Sequence, residues 1–138
     1  MKVFVDANIL VATLNKEYPL FTWSARLLSL HGKHNIQLYT SPLCLAIAFY
    51  FAGKKSGEEL AKKKIQLLCE NIGITTINDE ITKKSAKNSQ IHDFENRLEY
   101  YSALHSKCDI IITENKKDFY FSEIEIKGCE DFIKGLNV

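Results

Sequence analysis

The feature that most constrains this chain is a set of short apolar runs set between longer segments of helical period. Met1–Asp6 (MKVFVD), Ile36–Thr40 (IQLYT) and Asp109–Thr113 (DIIIT) are too short for helices, and the first and last are apolar in succession rather than in alternation. A strand with no polar face is covered on both sides, which is the environment of a parallel sheet. Gly73–Ile77 supplies a further strand and Ile124–Ile126 a candidate fifth. Between them lie helical segments: Ile9–Leu14 after a turn at Asp6–Asn8, Phe21–His31, a helix from Ser41-Pro42 to about Ala52, Glu58–Asn71, Asp79–Asn88, His92–Ser106 and Cys129–Leu136, with Gly53–Gly57 read as a loop. Ser as N-cap followed by Pro is a helix start. Strands alternating with helices predict an α/β fold, a sheet covered on both faces.

Length and charge narrow the class. The 138 residues suit a single domain, 1–138, and 46% hydrophobic content with a net charge of +1 excludes a disordered chain. No apolar run is long enough for a membrane span. An acid at position 6 interrupts what would be a signal peptide, so the expected location is the cytoplasm. Cys44, Cys69, Cys108 and Cys129 are spaced singly, as reduced and mostly buried thiols are, and form no zinc or redox motif. Lys54–Lys64 holds five lysines against two glutamates, a patch that could follow a nucleic-acid backbone or simply solvate a helix face. Glu114–Asp131 carries six acids against three lysines and is no phosphate clamp. Tyr100-Tyr101 and Phe119-Tyr120-Phe121 read as core or interface aromatics. His31, His34 and His105 have no partner at metal spacing, and His92 is of interest only for its neighbour Asp93. There is no G-x-G-x-x-G and no P-loop, and the acids and lysine of a receiver domain are absent.

In a parallel sheet the ligand site lies beyond the carboxyl ends of the strands. The residues placed there are Asp6 and Asn8 after the first strand, Ser41 after the second, and Thr113, Asn115 and Asp118 after the fourth. With Asp93, Asp6 and Asp118 could converge on a hard cation, Mg²⁺ or Mn²⁺, which activates water against a phosphodiester. Equally, Asp6 could end a strand, Asp93 cap a helix and Asp118 solvate a loop; spacing does not separate the two readings.

Three segments in order carry a family resemblance: KVFVDANIL, TSPLCLAIAFYF, and DFENRLEYYSALHSKCDIIITENKKDF with its T-x-N-x-x-D-F ending. The chain resembles the PIN-domain family, whose bacterial members include VapC-type toxins of toxin–antitoxin modules. The resemblance implies an α/β/α sandwich around a central parallel sheet of four or five strands. It also implies a Mg²⁺- or Mn²⁺-dependent endoribonuclease site of clustered carboxylates acting on single-stranded RNA, a homodimer, and an antitoxin-like protein partner laid over the acidic groove. Carried over, Asp6 is the first acid and Asp118, with Asn115, sits in the closing loop; Thr113 and Ser41 are polar neighbours, and Asp93 is the remaining acid near the site.

Two departures bear on activity. Ile47 stands where the family has a glutamate, and Asn96 where it has a helix aspartate. Isoleucine has no ligating atom and asparagine offers a neutral oxygen. Each lost charge forfeits on the order of 3–4 kcal/mol of attraction for a cation at ~4–6 Å. The expectation is weak or absent metal binding and weak or lost nuclease activity, against the alternatives of a working nuclease using Asp6, Asp93 and Asp118 or a non-catalytic RNA- or protein-binding module. Asp93 and Glu99, each three residues from Asn96, are the neighbours able to bring a carboxylate near, displaced by one turn. Around Ile47 lie Leu43, Tyr50 and Phe51, none acidic.

Overall fold

The computed structural model describes residues 1–88 and 93–136. Five parallel strands form one sheet in the order β3-β2-β1-β4-β5: β1 Lys2–Val5, β2 Gln37–Thr40, β3 Gly73–Ile74, β4 Ile110–Ile112 and β5 Glu125–Lys127. Val3, Phe4, Val5, Ile110, Ile111 and Ile112 are buried, as the unbroken apolar runs require. Among the described residues, seven α-helices flank the sheet: α1 Ala7–Leu14, α2 Leu20–Leu28, α3 Pro42–Ser56, α4 Glu58–Asn71, α5 Asp79–Lys87, α6 Phe94–His105 and α7 Cys129–Gly135. Helices α1 to α4 pack on one another, as do α5 with α6 and α2 with α7. This is the α/β/α sandwich expected.

Strand order locates the site. From β1 the chain steps outward to β2 and β3, returns through α5 and α6, and steps the other way from β4 to β5. The reversal falls between β1 and β4, where such sheets open a crevice. Pairing of Val5 with Ile112 sets the following residues, Asp6 and Thr113, side by side at its bottom.

Several elements differ from the sequence expectation. Helix α1 begins at Ala7, with Asp6 as its N-cap, in place of a turn through Asn8. Helix α2 stops at Leu28. Helix α3 runs through Gly53 to Ser56, where a loop was expected; Lys54 and Lys55 in its last turn favour the extension through the helix dipole. The turn comes at Gly57, whose φ of +88° serves both to end α3 and to start α4. Strand β3 is cut to Gly73–Ile74 because Thr75 and Thr76 are drawn to α6. There the Ser102 hydroxyl lies 2.5 Å from Thr75 Oγ1 and donates to the Thr76 carbonyl at 2.7 Å. Ahead of the first β2–β3 pair, Tyr39 with Gly73, the Leu38 N–H donates to His31 Nδ1 at 2.9 Å. Helix α6 starts at Phe94 with Asp93 as N-cap; its expected start at His92 lies outside the described residues. No helix among the described residues is long and apolar enough to cross a membrane.

The two glycines near the α3–α4 turn should respond oppositely to a methyl group. At Gly57 the backbone lies where L-residues rarely go, so Gly57→Ala should cost about 1–3 kcal/mol. At Gly53 an added Cβ meets only Glu58 Cγ at 3.7 Å, so Gly53→Ala should stabilise the helix by up to ~1 kcal/mol. Chemical denaturation of the two variants checks both signs.

Candidate active-site cleft

At the crevice between β1 and β4 lies a cleft of about 420 Å³. Its walls include Asp6, Asn8, Asp93, Asn96, Asn115 and Asp118 from the sequence-predicted set, together with Glu17, Glu95 and Glu99 and the apolar Val11, Ile47 and Phe51. Ser41 does not line it: the side chain is buried and accepts from the Cys44 N–H at 3.0 Å as the N-cap of α3, so it orients a helix rather than a ligand. Thr113 is buried below the wall and works through Asp6.

Asp6 is the hub. Its Oδ1 accepts from the Ala7 N–H at 2.6 Å; its Oδ2 accepts from the Thr113 hydroxyl at 2.7 Å and the Asn8 side-chain amide at 3.3 Å. Asn8 also bridges to Thr113 Oγ1 at 3.2 Å and accepts from the Glu114 N–H at 3.4 Å. The loop after β4 is thereby tied to the start of α1.

The expected triad does not assemble as a ligand set. Among the described residues, the group of potential ligating side chains that converges is Asp6, Cys44 and Glu99, with donor atoms within 4.8 Å of one another. Asp93 and Asp118 stay on the exposed rim. The Asp93 carboxylate is engaged as a cap, accepting from the N–H groups of Glu95 at 2.8 Å and Asn96 at 3.3 Å.

Cys44 and Glu99 are the residues that sequence reasoning undervalued. Cys44 lies one helical turn before Ile47, and Glu99 one turn after Asn96. A turn is ~5 Å along the axis, and here the displacement on both helices leads inward, so the polar cluster is buried at the cleft floor, with Cys44 behind Asp6 and Glu99. The Cys44 thiol donates to Glu99 Oε1 at 2.7 Å and lies 4.0 Å from Asp6 Oδ1. Burial, then the hydrogen bond to Asp6 and its charge, push the Glu99 carboxyl well above the usual carboxylate range. Burial first, then the charges of Glu99 and Asp6, raise the Cys44 thiol. The raised Glu99 favours its protonated form beside Asp6. Cys108 and Cys129 are also pushed up to about 12 by burial and are inert thiols.

Comparison with known proteins agrees with the fold. A PIN domain family profile matches residues 2–117. The chain belongs to the PIN-domain family. It is similar to Ribonuclease VapC1 of Aquifex aeolicus (strain VF5), 24% identical over 140 residues covering 99% of this chain and 96% of that protein. Its fold is similar to that in the VapBC-1 structure from nontypeable Haemophilus influenzae, with TM-score 0.69, 22% identity, and 94% and 99% of the two chains covered. It is also similar to that in VapBC2 from Rickettsia felis bound to a DNA fragment from their promoter, with TM-score 0.69, 18% identity, and coverage of 93% and 98%. Mycobacterium tuberculosis VapC20, a Sarcin-Ricin loop cleaving toxin, matches at TM-score 0.68 and 12% identity over 88% and 98%. The chain is thus a PIN domain, similar to VapC proteins.

The raised Glu99 has a signed consequence for stability. The folded state holds a proton that the unfolded chain releases near pH ~4.3, so this contribution is greatest at low pH and declines as pH rises toward the raised value. Metal-free wild-type protein should lose up to ~1.4 kcal/mol per pH unit from this one proton. Glu99→Gln should flatten that slope, and urea denaturation at several pH values upward from the unfolded chain's ~4.3 measures the difference.

Proposed function

We propose that this is a VapC-like PIN-domain protein with a reduced nuclease centre, whose cleft holds an antitoxin-like protein partner and cleaves RNA weakly or not at all. One observation carries the reading: the Asp6 carboxylate is engaged inside the protein, beside a cleft wall on which Ile47 and Asn96 stand where the family pattern has acids. PIN-domain ribonucleases generally depend on a divalent metal. The chain's residues do not fit the hard Mg²⁺ or Mn²⁺ ion expected of such a site. The converging group includes a thiol, Asp93 is committed to a helix end, and Ile47 offers no donor. No catalytic step is therefore drawn through such an ion.

What the cleft can do is bind. Its exposed rim carries Glu17, Asp93, Glu95 and Asp118, and its inner wall is apolar at Val11, Ile47 and Phe51. Without a cation, clustered carboxylates repel a phosphodiester. The same surface suits a peptide segment that presents basic side chains to the rim and apolar ones to the wall. Two of the similar structures contain VapBC, which supports a protein partner, and a homodimer is part of the same proposal. Four free cysteines fit a reducing, cytoplasmic setting.

The test titrates the protein with Mn²⁺ by calorimetry and assays cleavage of single-stranded RNA, beside Asp6→Asn and the double variant Ile47→Glu/Asn96→Asp. The double variant should bind Mn²⁺ at least ~10-fold more tightly, since each added charge is worth up to several kcal/mol, and should gain cleavage. Efficient cleavage by the wild type, abolished in Asp6→Asn, would instead establish an active nuclease using Asp6, Asp93 and Asp118.

A further inference from the structure

At the cleft floor, donors arrive from three elements: Asp6 from the end of β1, Cys44 from α3 and Glu99 from α6, all buried. We propose that Asp6, Cys44 and Glu99 form a binding site for one borderline-soft divalent cation of the Zn²⁺ class, which cross-links β1, α3 and α6. The proposal needs neither RNA nor a protein partner, so it stands or falls apart from the reading above.

The donor chemistry selects the ion. One sulfur and two carboxyl oxygens suit Zn²⁺, which takes thiolate and carboxylate ligands in tetrahedral sites, and not Mg²⁺, which demands six oxygens. Tetrahedral coordination at Zn–S ~2.3 Å and Zn–O ~2.0 Å places donors about 3.5 Å apart. The separations from the Cys44 sulfur, 2.7 Å to Glu99 and 4.0 Å to Asp6, bracket that value. Asp6 is already oriented from behind by the Ala7 N–H, the Thr113 hydroxyl and the Asn8 amide, the kind of outer support that fixes a metal ligand.

Two further observations point to a cation. No ion pair among the described residues reaches Asp6 or Glu99, so two buried carboxyls and a thiol face one another without a basic group. Asp6 and Glu99 also line the cleft, which gives an entry path and leaves a fourth coordination position facing its open volume. The exchange balances. With Asp6 a carboxylate and the other two groups protonated, one Zn²⁺ replaces the thiol proton and the Glu99 proton, both released to solvent, and the charge of the cluster is unchanged.

The experiment uses chelator-treated protein in a Cys69→Ser background, which removes the exposed thiol. Co²⁺ is titrated as a spectroscopic probe, and Zn²⁺ is followed by competition and thermal unfolding. The expected result is one equivalent of Co²⁺ bound with a thiolate-to-metal charge-transfer band, displacement by Zn²⁺, and a rise in Tm with Zn²⁺ that Mg²⁺ does not give. Cys44→Ser should abolish the band and weaken Zn²⁺ by at least ~100-fold, the upper end of the cost of losing even an outer support. If Cys44→Ser does not fold, Glu99→Gln, which keeps the side-chain volume, is used and should weaken Zn²⁺ to the same degree. Absence of the band, its persistence in Cys44→Ser, or Zn²⁺ affinity unchanged in Glu99→Gln would overturn the proposal, whatever the protein does with Mn²⁺ or RNA.

Discussion

The structure depends on how a buried carboxylate at the end of β1 is accommodated. Asp6 is about as enclosed as the apolar residues around it, and an ionised group in such a place must find donors. It finds them in the first N–H of α1, the Thr113 hydroxyl after β4 and the Asn8 amide, with the Glu99 carboxyl close by. Those contacts join the sheet's central strand pair to helices on both of its faces. The cleft is the outer surface of this junction, and its shape follows from the packing beneath it.

The cleft wall and the polar cluster differ in chemistry. Ile47 and Asn96 stand on the wall, and Cys44 and Glu99 lie buried one helical turn away on the same two helices. The buried set mixes a thiol with two carboxyls. The exposed acids that remain, Asp93 and Asp118 among them, rim the opening and do not close around a common point with Asp6.

The sheet was legible because β1 and β4 are unbroken apolar runs, and the strand ends followed from it: Asp6, Asn8 and Thr113 do meet. Thr40 and Ile112 mark the ends of β2 and β4 within a residue of the expected positions. Local rules failed where a tertiary contact overrode them. Ser102 of α6 curtails β3, a contact that spans 26 to 27 residues of chain and leaves no local trace. Gly53 reads as a helix breaker, yet packing of α3 on α4 and α1 carries the helix through it. The cluster was the hardest to see. Glu99 is visible as an acid on the right helix, but its depth depends on how α6 meets α3, and Cys44 looks like any small core residue until it is found opposite a carboxyl.

The α3–α4 hairpin that turns at Gly57 holds the five lysines of the Lys54–Lys64 run. Lys55 donates to the Asn15 carbonyl and Lys64 to the Leu14 carbonyl at 2.8 Å, both closing the far end of α1, while Lys54 lies over the Tyr50 ring at 4.7 Å. Lys62 and Lys63 stand exposed. A carbonyl or a ring neutralises no ammonium group, so all five keep their charge, and a polyanion held against this face would be released steeply as salt is added.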